Sequence, residues 1–124
     1  MKKQSCFIMS LLLSSPLVSA QVAISHLPQE ALYQNWLISR CLGKFTDSEN
    51  TRQDALRSAS AYLEFSTLPL IAFEKGEKLI ERYLKEKSTG SVPGSYHTLA
   101  CLRLSHSKEA NDIFTAYEKS APNQ

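Results

Sequence analysis

Glycine is scarce in this chain, with four in 124 residues, and its placement excludes a nucleotide cradle. Gly43 and Gly76 fall in helical patterns. Gly90 and Gly94 are not followed by Gly-Lys-Ser/Thr, and no strand precedes them, so they do not form a phosphate-binding loop. Histidine is equally thin: His26, His97 and His106 lack the paired spacing of a metal site, so no metal or other cofactor is expected. Alternating apolar and polar residues are missing, which removes a sheet from consideration. No internal repeat appears. Nowhere is there an uninterrupted apolar run long enough for a comfortable membrane span.

The one strongly apolar stretch, residues 6–13, belongs to a three-part leader. Lys2 and Lys3 precede it, and Val18-Ser19-Ala20 supplies small residues before Gln21. That layout predicts a cleavable export signal over residues 1–20 and a single mature domain over 21–124. Cys6 lies before the apolar core, so a lipid anchor is not expected, nor is a membrane contact after cleavage. Removing Lys2 and Lys3 takes 14 basic residues to 12, against 12 acidic ones. A neutral mature chain without a basic motif gives no electrostatic case for nucleic acid.

Cleavage leaves Cys41 and Cys101, an even pair in an exported chain, and the plain reading is one disulfide. It closes a loop of about sixty residues, which the chain-entropy model values at roughly 4 kcal/mol.

The remaining pattern is helical throughout. Residues 29–42 carry Leu32, Tyr33, Trp36, Leu37, Cys41 and Leu42 on a broad apolar face, with Pro28 suited to the first helical turn and Gly43 to the stop. Thr46 and Glu49 read as a capping box opening a helix to about residue 65, with Ala55, Leu56, Ala59, Tyr62 and Leu63 as its stripe. A third helix starts at 67–69 and runs to about 87, interrupted by Gly76 at some cost. Its charged residues between 74 and 85 read as a solvated face. Ser95 is the expected cap of a helix over 96–104, and residues 108–120 make the last. The fold class is therefore all-α: a small bundle of about five helices stapled by Cys41–Cys101.

Chemistry is sparse. His97 and Cys101 stand one helical turn apart, which outlines a base and a nucleophile. An oxidised Cys101 removes that option, and a chain without a catalytic set points to binding, not to an enzyme. Between the third and fourth helices lies a segment unlike the rest: Ser88-Thr89-Gly90-Ser91-Val92-Pro93-Gly94-Ser95. Its turn residues suit a connector, and equally a surface held out for another molecule.

Several stretches, in order along the mature chain, carry a resemblance: residues 35–43 (NWLISRCLG), 51–55 (TRQDA), 58–64 (SASAYLE), 90–96 (GSVPGSY), 98–102 (TLACL) and 106–109 (HSKE). Together they resemble the fourth family of type VI secretion amidase immunity proteins. The resemblance implies an all-helical periplasmic protein that neutralises a cognate peptidoglycan amidase, a papain-like hydrolase of the NlpC/P60 kind. That toxin cuts between D-glutamate and diaminopimelate in the peptide stem. It also implies a homodimer that engages two effectors as a heterotetramer. One subunit's loop blocks the effector's cleft, and a helix of the other adds contact. The matching loop comprises Ser88, Thr89, Gly90, Ser91, Val92, Pro93, Gly94, Ser95 and Tyr96. The matching helix face is Arg57, Ser58, Ala61 and Glu64, with the charged face of 74–85 as a competitor. A small periplasmic acid-stress chaperone is the alternative function, and a Cys101–His97 hydrolase a third.

Overall fold

A computed structural model describes residues 20–86 and 88–120, and among them all regular structure is α-helical. Residues 1–19 of the expected leader lie outside the described residues. Six helices follow one another: α1 Ala20–Ser25, α2 Gln29–Phe45, α3 Glu49–Glu64, α4 Leu70–Lys85, α5 His97–Ser105 and α6 Lys108–Glu118. The last five are the bundle that the periodicity predicts.

Helix α2 is the axis of the bundle, because its apolar residues recur on more than one side. Leu32, Tyr33, Trp36, Leu37, Ser39, Cys41 and Gly43 are all buried. It packs against α3, α4, α5 and α6. The other helices each contribute a narrower stripe: Ala55 and Ala59 from α3, Ala72, Phe73, Leu79 and Ile80 from α4, Ala100, Cys101 and Leu104 from α5, Ala110 and Phe114 from α6. Cys41 and Cys101 are disulfide-bonded, joining α2 to α5 in the middle of this core, where both are fully buried.

An aromatic group fixes the crossing of α2 over α4. The Trp36 and Phe73 rings meet edge to face with centroids 4.8 Å apart, and Tyr33 stacks against Trp36 at 6.0 Å. The Tyr33 hydroxyl donates to the Ala72 carbonyl at 2.9 Å, so its polar end is satisfied inside the core, and burial pushes its phenol well up. Gly76 makes this crossing possible. A Cβ there would lie 2.7 Å from Trp36 Cζ3 and 2.9 Å from Tyr33 Oη. Gly76 thus serves a close approach of backbone to rings, and α4 runs through it without a break.

Beside the aromatic group, Glu77 of α4 turns inward to Arg40 and Lys44 of α2. The solvated face predicted for 74–85 therefore loses one member. Burial pushes the Glu77 carboxyl up, but hydrogen bonds from Arg40 and Lys44 outweigh it and leave the group below its ordinary value. Gln29 adds a second tie: its side-chain amide donates to the Phe65 carbonyl and accepts from the Thr67 N–H. One side chain at the start of α2 thereby holds both sides of the α3–α4 turn.

Three predicted boundaries shift. Gly43 does not stop α2, which continues to Phe45 and ends where Thr46 adopts an extended conformation, its N–H bonded to the Leu42 carbonyl. Packing wins over the modest helical cost of glycine. Thr46 is not the cap of α3. Ser48 is, and its hydroxyl accepts from the Thr51 N–H, while Glu49 is the first helical residue. Ser95 does not cap α5, because the Tyr96 carbonyl accepts the Ala100 N–H, and that sets the cap one residue later.

Candidate partner-binding site

The segment between α4 and α5 is built on two fixed ends. Helix α4 stops where Glu86 turns extended, its N–H still bonded to the Arg82 carbonyl. Helix α5 begins at His97, whose ring lies on Phe45 of α2 with centroids 5.2 Å apart. One turn further on, Cys101 is bonded to Cys41. The loop therefore rises from a base tied to α2.

Ser88 is half-buried, whereas Thr89, Gly90, Ser91, Val92, Pro93, Gly94 and Ser95 are exposed. Val92 is the apolar residue at the outer part of the loop and is 68% exposed. The chain reverses after it through Pro93 and Gly94, the latter at a φ of 147°. Tyr96 differs from its neighbours. It is half-buried and turns back on the loop: its hydroxyl donates to the Val92 carbonyl at 2.6 Å and accepts from the Val92 N–H at 3.1 Å. Its ring lies against Gly90, where a Cβ would come within 2.5 Å of it.

The residues expected on α3 divide between two faces. Arg57 and Glu64 are exposed, with Ala61 between them at helical spacing and half-buried. Ser58 points elsewhere. Its hydroxyl donates to the Asp54 carbonyl, and it lines a recess with Ser39, Leu42 and Thr98, next to the start of α5. Sequence reasoning passed over a further feature, an apolar groove of about 300 Å³ between α3 and α4. Trp36, Leu56, Leu63, Leu70 and Phe73 line it, with Arg40, Glu74 and Glu77 at its edge. Leu70 is 70% exposed and Leu63 43%. The signal in the sequence was a leucine directly after Pro69, outside the apolar stripe of its helix.

The Cys101 sulfur is committed to the disulfide, so the His97–Cys101 pair has no free thiol to act with. Among the described residues no group of histidine, cysteine and carboxylate side chains could hold a metal ion. No described helix is long and apolar enough to cross a membrane.

Comparison with known proteins places this geometry. Residues 31–114 match the family described as type VI secretion system (T6SS) amidase immunity protein, Tai4. Among solved structures, one match is to the complex of the effector Tae4 from Salmonella typhimurium with the immunity protein Tai4 from Enterobacter cloacae. It has 39% identity and a TM-score of 0.69, covering 73% of this chain and 93% of that one. A second is the Tae4/Tai4 effector–immunity system of Salmonella typhimurium, at 26% identity and a TM-score of 0.69, covering 74% and 91%. A third comes from work on type VI-secreted toxins and self-resistance proteins of Serratia marcescens. It has 28% identity and a TM-score of 0.73, covering 83% and 85%. No curated protein matches. The family match favours the immunity reading over the acid-stress chaperone. Spanning most of the described helices and both bonded cysteines, it establishes that the chain belongs to the type VI secretion system amidase immunity family.

Proposed function

We propose that this protein binds the Tae4-type amidase of its own cell line and seats the loop of residues 88–95 in the enzyme's catalytic cleft. It acts by occupancy and carries out no reaction of its own. The observation that carries the reading is the family match over residues 31–114, joined to solved structures of effector–immunity complexes. The loop suits the task physically. Exposed backbone with two glycines enters a narrow polar cleft closely, and Pro93 reduces the entropy lost on binding. Ser91 and Ser95 offer hydroxyls to the oxyanion donors of a cysteine hydrolase. Its sequence does not resemble a peptide stem, so it lies there without being cut.

The remaining parts of the reading follow. Residues 1–20 direct export, residues 21–124 form the mature domain, and the site of action is the periplasm, where a disulfide persists. The protein works as a homodimer that holds two effectors, with Arg57, Ala61 and Glu64 of α3 making the second contact. The direct experiment mixes the mature protein with the Tae4-type amidase from the same genome and follows muropeptide cleavage. Cleavage stops at equimolar protein. A variant with Ser91-Val92-Pro93-Gly94 replaced by a shorter linker folds normally and does not inhibit. Full inhibition by that variant removes the loop from the mechanism. Cross-linking and mass measurement of the complex check the two-to-two assembly.

A further inference from the structure

We infer that Tyr96 is a positioning residue, a latch that holds the loop in its binding shape before any partner arrives, and that Val92 is the side chain the latch presents. The inference deepens the cleft-plug reading and rests on it.

Among the described residues, the hydrogen bonds that reach loop residues 88–95 come from Tyr96. Residues 89–95 are all exposed, so no core contact fixes them. The Tyr96 hydroxyl meets both backbone groups of one residue, taking the Val92 N–H and giving its proton to the Val92 carbonyl. That closes residues 92–96 into a ring. The Tyr96 ring meanwhile covers Gly90, and the 2.5 Å approach leaves no room for a side chain there. Two points of the loop are thus clamped by one residue, whose own backbone is the first acceptor of α5. The clamp takes hold of the Val92 backbone and leaves the Val92 side chain 68% exposed. Next to Ser91, on a chain stiffened by Pro93, an aliphatic group held outward has the chemistry to fill an apolar subsite beside a polar cleft.

An unlatched loop binds more weakly because only the fraction in the right shape is competent, and the apparent Kd rises by the inverse of that fraction. Tyr96 in this role touches the loop and not the enzyme. It therefore differs in its readouts from a residue that contacts the partner directly.

The test compares Tyr96→Phe, Gly90→Ala and the double variant with the parent, in the mature disulfide-bonded protein. Backbone amide exchange at Val92 is measured on the free protein. Affinity and association rate are measured with the Tae4-type amidase from the same genome. Tyr96→Phe frees the Val92 amide to exchange rapidly and weakens Kd about tenfold, equivalent to about 1.4 kcal/mol. The loss appears mainly in the association rate, and thermal unfolding does not change. Gly90→Ala displaces the ring and gives the same pair of changes. The double variant is no worse than either single one. Val92→Ala weakens binding without speeding exchange of its own amide. Parent-like affinity in Tyr96→Phe with a freed Val92 amide overturns the latch, and so do fully additive losses in the double variant. If the shortened-linker variant binds as the parent does, the plug reading itself falls. If that variant fails to bind while Tyr96→Phe binds normally, only the latch falls.

Discussion

The two helical glycines are a sharp test of the packing, because the structure predicts opposite signs for the same substitution. Helix propensity alone makes glycine to alanine favourable at both sites by about 1 kcal/mol. At Gly43 the new methyl would lie 3.6 Å from Ala55 Cβ and 3.8 Å from Leu56 Cδ2, which is ordinary contact. Gly43→Ala therefore keeps most of the propensity gain and stabilises by roughly 0.5–1 kcal/mol. At Gly76 the methyl would fall 2.7 Å from Trp36 and 2.9 Å from Tyr33. Neither ring is a flexible end that swings aside. Trp36 is packed against Phe73, and Tyr33 is held by its bond to the Ala72 carbonyl. Overpacking costs about 1–3 kcal/mol, and leaving the Tyr33 hydroxyl unpaired costs about another 1–3 kcal/mol. Set against the propensity gain, Gly76→Ala is destabilising by about 1–5 kcal/mol. For a domain of about 100 residues each kcal/mol moves the melting temperature by roughly 4–8 °C. Urea unfolding with the disulfide intact measures both variants on the same footing. A Gly76→Ala protein more stable than the parent would refute the close crossing of α4 on α2.

Reducing the Cys41–Cys101 bond in the unfolded chain and refolding without oxidant lowers stability by roughly 4 kcal/mol, read from the denaturation midpoint. The folded protein resists reductant until it opens, because both sulfurs are fully buried. Glu77 titrates lower in the folded state than its ordinary value of 4.5. Its contribution is therefore full above that value and is lost as pH falls through the folded pKa. Glu77→Gln costs about 1 kcal/mol at pH 7, and the difference from the parent shrinks below pH 4.5 in a pH series of unfolding curves. Ser48→Ala removes the cap of α3 and costs about 1 kcal/mol, whereas Thr46→Ala costs less, by the same unfolding assay.

The helices were legible because their apolar spacing survives any tertiary arrangement. Their ends were less so. Thr46-x-x-Glu49 and Ser48-x-x-Thr51 overlap, and only the extended turn at Thr46 decides which hydroxyl caps α3. Gly43 reads as a terminator in isolation, but burial against α3 carries α2 through it. The loop was legible as a departure from its surroundings. The role of Tyr96 was not, since a tyrosine before a helix reads as core or contact, and its return to Val92 depends on the turn at Gly94. The inward turn of Glu77 was hidden for a similar reason: its partners Arg40 and Lys44 lie a whole helix away in sequence.

The aromatic crossing, the Glu77 ion pairs and the disulfide all attach their helices to α2, and none of them includes a residue of the exposed loop. Exposed positions of this kind tolerate substitution within about 0.5 kcal/mol. Thr89, Ser91, Val92, Pro93 and Ser95 are therefore open to change with little effect on folding, while Gly90 and Tyr96 are tied to the shape of the loop itself. On the proposed plug reading, a lineage facing a drifting toxin is able to rewrite the tip and retain the clasp. On that reading, recognition and the shape that serves it reside on separate sets of residues, a few positions apart in one short segment.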